Sequence, residues 1–264
     1  MSEVFGIDVS HHNGRIDWSE VAKDDKKFAI LKCQYEAQSH RIDEYFEYNY
    51  AEAGKAGLAR GVYIYIARAS MADPVLDAQS LLKHLNGRPL EYGIWLDLED
   101  KSLEAKGKAY ILSLANTYAD IFIKAGYYVG IYCNKDWYFR LIHDDLKRDY
   151  DFWIARYPRN DAGAYNKNSS LKPSAQWACA WQYSSRGNVP GVKTRVDLDV
   201  DYDGIISLMA QSPLPKSIEE IAQEVIDGKW GTKGTKPTRR ELLTRAGYDY
   251  EKVQAKVNEL LSKS

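Results

Sequence analysis

Short apolar segments and longer amphipathic segments alternate along the first 200 residues. The apolar segments are rich in β-branched and aromatic residues, which is typical of buried strands. They are Val4–Val9, Phe28–Cys33, Gly61–Ile66, Tyr92–Leu98, Tyr127–Cys133, Phe152–Ala155, Ala178–Tyr183 and Val196–Val200. Strands that alternate with helices predict an α/β fold with a parallel sheet, and eight of them predict a closed barrel.

Three amphipathic segments between these strands predict helices. Pro74–Leu85 begins with an Asp-Pro pair, an N-cap followed by proline at the first helical position. Tyr45–Ala56 and Leu103–Ala125 each end immediately before a glycine, which is a frequent C-terminal cap. Pro158–Trp177, in contrast, is polar and rich in Asn, Gly and Ser, so the last part of the barrel is predicted to be irregular.

The pattern changes near residue 211. Residues 212–216 contain two prolines, which predict a stiff linker because each proline restricts the residue before it to extended geometry. Beyond it, apolar residues at helical spacing predict helices at Ile218–Ile226, Thr238–Ala246 and Tyr250–Leu261. The domain prediction is a barrel at 1–211, a linker at 212–216 and a three-helix unit at 217–264.

Composition excludes several classes of protein. The chain has 264 residues and 36 Lys+Arg against 37 Asp+Glu, so a nucleic-acid partner is not predicted. No apolar stretch is long enough for a membrane helix, and the first residues lack the basic and apolar pattern of a secretory signal. Cys33, Cys133 and Cys179 lack the spacing of a metal site or a disulfide framework, and no cofactor is predicted.

Five acidic residues stand at the predicted ends of three strands. Asp97 and Glu99 would lie on one side of the fourth strand, at the mouth where barrel active sites form. Asp8 ends the first strand, and Asp197 and Asp199 end the eighth, which is its neighbour in a closed barrel. Adjacent carboxylates repel, so one keeps a proton, as glycosidic bond cleavage requires. Solvent-exposed acidic strand ends are the alternative.

Aromatic residues near other strand ends are candidates for a saccharide groove. Tyrosine and tryptophan combine an apolar ring with a polar edge, and the chain has 20 Tyr and 7 Trp. The candidate substrate-binding residues are Tyr63, Tyr65, Tyr132, Tyr157, Trp181, Tyr183 and also Asp199. The alternative for the rings is that they fill the barrel core. The histidines, including His11 and His12 beside Asp8, lack the spacing of a metal site.

Several segments, in the same order along the chain, match a known family. They are Gly6-Ile7-Asp8-Val9-Ser10, Gly61-Val62-Tyr63, Leu96-Asp97-Leu98-Glu99, Phe152-Trp153-Ile154-Ala155-Arg156-Tyr157, Trp181-Gln182-Tyr183 and Val196-Asp197-Leu198. The region resembles glycoside hydrolase family 25, the lysozymes of phages, bacteria and fungi. Asp199 departs from the family, which commonly has Asn there.

The resemblance implies an irregular TIM-like (β/α)₅β₃ barrel. It also implies a muramidase that hydrolyses the β-1,4 bond between N-acetylmuramic acid and N-acetylglucosamine in peptidoglycan. By position, Glu99 is the general acid, Asp97 is its ionised partner, and Asp8 and Asp197 complete the acidic cleft. Two other interpretations stay open: a chitinase-like hydrolase, because chitinases also end strand four with Asp-x-Glu, and a non-catalytic cell-wall-binding protein.

The tail resembles a second family on the segments Ile218–Gly231 and Ala246-Gly247-Tyr248-Asp249-Tyr250. These are similar to the Cpl-7-type cell-wall-binding repeat of phage lysozymes, which recognises a muropeptide. Candidate wall-binding residues are Arg240, Arg245 and Tyr248, whereas Trp230 is predicted to fill the small core.

The implied partners are peptidoglycan glycan strands and muropeptide. A barrel with such a tail and no signal segment resembles a phage endolysin, which stays in the host cytoplasm until the membrane is breached. A bacterial autolysin exported by another route is the alternative. The oligomeric state stays open, with a weak dimer as one option.

Overall fold

The computed structural model describes residues 3–202, 218–231, 239–245 and 248–262. The predicted linker at 212–216 lies outside these residues. In the first range, eight strands form a closed barrel in which each strand pairs with its neighbours in chain order. The strands are β1 (Val4–Val9), β2 (Phe28–Gln34), β3 (Ala59–Tyr65), β4 (Ile94–Asp97), β5 (Val129–Asn134), β6 (Asp151–Ala155), β7 (Ala180–Gly187) and β8 (Val196–Asp201). The predicted barrel is thus confirmed.

Strand direction changes only at β8. Strands β1 to β7 run parallel, whereas β8 is antiparallel to both β7 and β1. Asp8 pairs with Asp197 at the rim formed by the C-terminal ends of β1 to β7, which we call the mouth, and Val4 pairs with Asp201 at the opposite rim. The placement of Asp197 at the end of its strand was therefore wrong: it lies near the start of β8, and the reversed direction brings it to the mouth.

Seven α-helices surround the barrel in the described residues 3–202. They are α1 (Trp18–Lys23), α2 (Phe46–Lys55), α3 (Pro74–Leu85), α4 (Lys101–Glu104), α5 (Lys108–Lys124), α6 (Lys135–Arg140) and α7 (Asp144–Asp149). The prediction of one helix over Leu103–Ala125 is wrong, because the helix is interrupted at Gly107, which has a φ of 81°. Residues 156–179 form neither a helix nor a strand, as predicted for Pro158–Trp177, and the strand predicted from Ala178 begins at Ala180.

The barrel separates two apolar layers. The inner layer is largely aromatic, with Phe28, Tyr92, Trp95, Tyr132 and Trp153 among its buried members. These rings need close approach of the backbone: a Cβ atom on Gly130 would lie 2.3 Å from the ring of Trp95. The outer layer packs the other face of the sheet against the helices. Because large rings fill the barrel below the mouth, a ligand can enter the barrel only at the mouth.

The tail contains three further helices, α8 (Ile218–Ile226), α9 (Arg239–Arg245) and α10 (Tyr250–Ser262). Apolar residues from all three form one buried cluster, comprising Ile221, Ala222, Val225, Leu243, Val253 and Val257. Trp230 packs against this cluster and meets Tyr248 edge-on, with ring centroids 5.9 Å apart. No helix in the described residues is both long and apolar enough to span a membrane.

Candidate active site

A cavity of about 220 Å³ lies at the mouth of the barrel. Its walls carry four carboxylates from three strands and their extensions, together with an amide and four aromatic rings. The lining residues are Asp8, Tyr63, Asp97, Glu99, Tyr132, Trp153, Tyr157, Gln182 and Asp197. The four predicted acidic residues of the cleft are therefore brought together.

A second depression, of about 580 Å³, lies between α1, α2 and the loop before β8. It is larger but holds only two carboxylates, and each is engaged elsewhere. Asp17 caps α1 by accepting hydrogen bonds from Ser19 and Glu20, and Glu52 pairs with Lys55. The mouth cavity is thus the better candidate for acid–base chemistry.

Strand β4 delivers Asp97 and Glu99 to the cavity. Asp97 is the last residue of the strand, and Leu96 and Leu98 on either side of it are fully buried in the outer layer. Asp100 then accepts a hydrogen bond from the backbone of Ser102 and caps α4, which ends the extended conformation. The alternation of a short strand therefore turns both carboxylates inward.

The two β4 carboxylates differ in exposure. Asp97 is 6% exposed, whereas Glu99 is exposed to solvent on the cavity side. Removal from water raises the pKa of Asp97 well above its usual range, and the charge of Glu99 adds to this. Partial burial, followed by the charge of Asp100, also raises the pKa of Glu99. Lys32 lowers the pKa of both Asp97 and Glu99. Burial therefore favours the protonated form of Asp97 in the free protein, and its ionised role during turnover stays a prediction.

Asp8 and Asp197 face each other across the β1–β8 seam. Burial, followed by the charge of Glu99, raises the pKa of Asp197 to about 6. Burial also raises the pKa of Asp8 well above its usual range, with Asp197 and Asp199 as the next contributions. Neighbouring carboxylates in a low-dielectric site do not all ionise together, so the cavity retains protons to a higher pH than isolated carboxyl groups would.

Gln182 connects three elements of the site, and the sequence analysis did not select it. Its Oε1 accepts hydrogen bonds from the hydroxyls of Tyr132, at 2.8 Å, and Tyr157, while its Nε2 donates to Oδ2 of Asp8 at 2.5 Å. Its neighbours Trp181 and Tyr183 were the residues predicted from this strand, because they are aromatic. Strand alternation would have found Gln182 only if the inward face of β7 had been known.

Three predicted substrate-binding residues do not reach the cavity. Trp181 and Tyr183 lie on the outward face of β7, where they pack against Tyr165 in the outer layer. Asp199 is fully buried and accepts a hydrogen bond from Nε1 of Trp153 at 2.9 Å. The prediction that these three residues contact the substrate was wrong, because none of them lines the mouth cavity.

Of the four other aromatic candidates, Tyr63, Tyr132 and Tyr157 line the cavity. Tyr65 lies beside it, where its hydroxyl donates to Oδ2 of Asp100 at 2.8 Å. Lys32, which the sequence analysis did not select, places its ammonium 5.8 Å and 5.4 Å from the ring centroids of Tyr63 and Tyr65. A saccharide at the mouth would thus meet tyrosine faces and a cation as well as carboxylates. These contacts stay predictions.

The tail candidates occupy different surroundings. Arg240 pairs with Glu251 at 2.6 Å and lies over the ring of Tyr250, with its guanidinium 4.2 Å from the centroid. Tyr248 packs on Trp230, as described above. The side chain of Arg245 lies outside the described residues. Wall binding by these residues stays a prediction.

Comparison with known proteins identifies the family. The profile described as glycosyl hydrolases family 25 matches residues 7–192, which is more than half of the chain, and the profile of the CW_7 repeat matches residues 219–261. The chain belongs to glycosyl hydrolase family 25 and is a glycosidase. Within the described residues, no group of three or more His, Cys, Asp or Glu side chains is arranged to hold a metal ion.

Individual relatives cover different parts of the chain. The uncharacterised protein YegX of Escherichia coli O157:H7 is 29% identical over 209 residues, 75% of this chain and 69% of that protein. The lysozyme of Streptococcus phage Cp-7 is 39% identical over 108 residues, 41% of this chain and 28% of that protein. A crystal structure of the modular autolysin LytC of Streptococcus pneumoniae with a synthetic peptidoglycan ligand has 26% identity and a TM-score of 0.61, covering 76% of this chain and 47% of that one.

Proposed function

We propose that this family 25 glycosidase is a muramidase that hydrolyses the β-1,4 bond between N-acetylmuramic acid and N-acetylglucosamine in peptidoglycan. The observation that carries the proposal is the convergence of Asp8, Asp97, Glu99 and Asp197 on one cavity of the family barrel. The relatives named as lysozymes and the LytC structure with its peptidoglycan ligand support the choice of substrate.

In this proposal Glu99 is the general acid. It is exposed at the cavity, so it can reach a glycosidic oxygen, and its raised pKa keeps a proton available. Asp97 lies deeper and has an Oδ1 atom without a hydrogen-bond partner in the described residues. It is placed to receive a polar group of the substrate, such as the acetamido group beside the scissile bond. Asp8 and Asp197 would complete the acidic wall around the sugar.

The identity of the newly formed reducing ends tests this function. Purified peptidoglycan is digested, the new reducing ends are reduced with borohydride, and the hexosamine alcohols are analysed. Reduced muramic acid supports a muramidase, whereas reduced glucosamine contradicts it. Activity on chitin without activity on wall material would favour the chitinase-like alternative, and an absence of new ends on both substrates would favour the non-catalytic binder. A Glu99→Gln variant serves as the blank for contaminating activity.

We also propose that the CW_7 tail holds the enzyme on the cell wall by binding a muropeptide. The match at residues 219–261 supports a binding role, and α8 to α10 contribute no residue to the mouth cavity. Similarity to a phage lysozyme supports an endolysin. Its arrival at the wall after membrane breach stays a prediction, which detection of the enzyme inside intact host cells before lysis would test.

A further inference from the structure

Asp199 is a carboxylic acid in a position closed to solvent. It lies two residues beyond Asp197 on β8 and is 0% exposed. Its Oδ1 accepts the indole hydrogen of Trp153, and its buried Oδ2 accepts no hydrogen bond from an N–H group or a hydroxyl in the described residues. A buried carboxylate oxygen that accepts no hydrogen bond lowers the free energy of unfolding, so a partner for this oxygen is expected.

Asp8 supplies the missing partner. Its side chain hydrogen-bonds that of Asp199 across the seam. In the antiparallel register Asp8 lies opposite Asp197 and Gly6 lies opposite Asp199, so Asp8 is the diagonal neighbour of Asp199 on the same side of the sheet. Two carboxyl groups form such a bond only when one of them carries a proton, because an ionised carboxylate has no hydrogen to donate. Asp8 and Asp199 therefore form a carboxyl–carboxylate pair with one shared proton.

Gln182 fixes where that proton can lie. Because Oε1 of Gln182 accepts the hydroxyls of Tyr132 and Tyr157, its amide hydrogens point to Oδ2 of Asp8. Oδ2 is then an acceptor, so the proton in the pair is on the side of Asp8 Oδ1 and Asp199. The two oxygens outside the shared hydrogen bond each accept from a neutral N–H group: Oδ2 of Asp8 from Gln182, and Oδ1 of Asp199 from Trp153.

We propose that Asp199 is a positioning residue, which holds Asp8 in the cavity wall through one shared proton while Gln182 fixes the other oxygen of Asp8. The role of Asp8 in turnover rests on the muramidase proposal, but the existence of the pair does not. An Asn at this position would donate an N–H to Asp8 without any titratable proton. Asp199 instead offers a donor that is lost when the pH rises.

The surroundings offer little to stabilise a second negative charge. Two acids, Asp97 and Asp197, act on the pair, and the tyrosines that interact with it are Tyr63, Tyr92, Tyr132, Tyr157 and Tyr183. The nearby cation Lys32 acts on Asp97 and Glu99 instead. Burial raises the pKa of both Asp8 and Asp199 above that of an unfolded aspartate, so the folded protein binds an extra proton. Its stability therefore falls as the pH rises from the unfolded value through the folded one.

The test compares Asp199→Asn with the wild-type full chain across pH. Asparagine keeps the shape, accepts from Trp153 and donates to Asp8 without a proton to lose. We expect the Tm of the variant relative to wild type to increase by about 3 °C or more from pH 5 to pH 8. The ratio of its kcat/KM to that of wild type should rise over the same range.

Asp161→Asn is the matched control. Asp161 accepts hydrogen bonds from Ser184 and Ser185, which hold its pKa below the usual range, although burial acts in the opposite direction. Its contribution to stability is complete above the unfolded pKa and is lost only as the pH falls through the folded one. The Tm of this variant should therefore be lower than that of wild type by an amount that does not change from pH 5 to pH 8.

Carbon-13 NMR of the aspartate carboxyl groups in the wild-type protein gives an independent reading if Asp199→Asn does not fold. One carboxyl of the pair should keep its proton at a pH at which the surface aspartates are ionised. Titration of both groups together with the surface aspartates, or a Tm difference independent of pH, would overturn the shared proton. A pH-dependent Tm with a constant kcat/KM ratio would overturn the positioning role. Since Tm and NMR do not use turnover, they separate this inference from failure of the muramidase assay.

Discussion

At the scale of single residues, exposure separates two neighbouring acids that look equivalent in the sequence. Asp97 and Glu99 both line the mouth cavity, yet only Glu99 is open to solvent. A proton donor must approach the leaving oxygen, whereas a buried acid can orient the substrate without transferring a proton. The two acids of the Asp-x-Glu pattern therefore differ in solvent exposure, and this difference gives them different roles.

Replacing Glu99 by Gln should lower kcat by about 10²–10⁴, because an amide cannot protonate the leaving oxygen. The change keeps the shape of a side chain at the rim, so the Tm should stay close to that of wild type. Turnover of soluble muropeptides and thermal unfolding are the measurements. Glu104→Gln is the control, since Glu104 lies on α4 and pairs with Arg140 away from the cavity. Retention of more than about a tenth of the activity would remove Glu99 from its role.

The stereochemistry of the product depends on Asp97. The family resemblance implies net retention, with Asp97 stabilising the positive charge that develops around the sugar ring. The nucleophile is either the acetamido group of the substrate or a carboxylate of the enzyme. We expect the first product seen by proton NMR, before mutarotation, to be the β anomer. An initial α anomer would show direct attack by water and would contradict the retaining mechanism.

At the scale of secondary-structure elements, close packing of β4 on β5 supports the site from below. Gly130 of β5 pairs with Trp95 of β4, and the Trp95 ring in turn meets Trp153 edge-on, with centroids 5.9 Å apart. Trp153 reaches both the cavity and Asp199. A backbone change at Gly130 is therefore transmitted to the mouth through two tryptophan rings.

Gly130→Ala should destabilise the barrel by about 1–3 kcal/mol, because the new methyl group would overlap the Trp95 ring in an already filled interior. Denaturant unfolding measures the loss. Gly54→Ala in α2 is the comparison: its Cβ would meet Nη1 of Arg60, the end of a side chain that pairs with Glu91 and can shift more easily than a buried ring, and alanine favours a helix. Equal stabilities of the two variants would mean that the Trp95 ring can move aside.

The sequence predicted all eight strands because each is an apolar run with turn residues on either side. It did not predict the direction of β8, since an apolar run carries no sign of direction. It missed the break at Gly107 because helical spacing continues across it, and α1, α6 and α7 because six residues are too few to show a period.

The same reasoning applies to the site. The four cleft carboxylates could be predicted because strand ends of a barrel converge. The inward face of β7 could not, because alternation shows that Trp181 and Tyr183 share a side and leaves open which side that is. Gln182 was missed for this reason. Asp199 was misplaced because its depth below the mouth depends on the register and direction of β8.

At the scale of the whole molecule, chemistry and wall attachment reside in different parts of the chain. Within the part of the chain that the structure describes, every residue lining the mouth cavity precedes residue 198, and the CW_7 match begins at residue 219. Truncation after Ser212 should leave turnover of small soluble muropeptides within about two-fold of the full chain, since the barrel sheet is complete by Asp201.

Lysis of intact walls should weaken after the same truncation. The loss should be greatest at low enzyme concentration, because tethering by the tail raises the local concentration of the barrel on the wall. Initial rates on both substrates across a range of enzyme concentrations measure the effect. An equal loss on soluble and insoluble substrate would show that the tail supports the barrel structurally.

The pairing of Val4 with Asp201 has a consequence for how such chains are assembled. Because β8 runs against the other strands, the barrel begins and ends on adjacent residues of the rim opposite the mouth. An additional module could be fused before Val4 or after Asp201, or the two positions could be joined by a short turn and the chain opened elsewhere, without covering the cleft. Because β8 is reversed, both ends of the barrel lie side by side on the rim opposite the mouth. A different wall-binding domain could therefore be fused at either end while the catalytic cavity stays open.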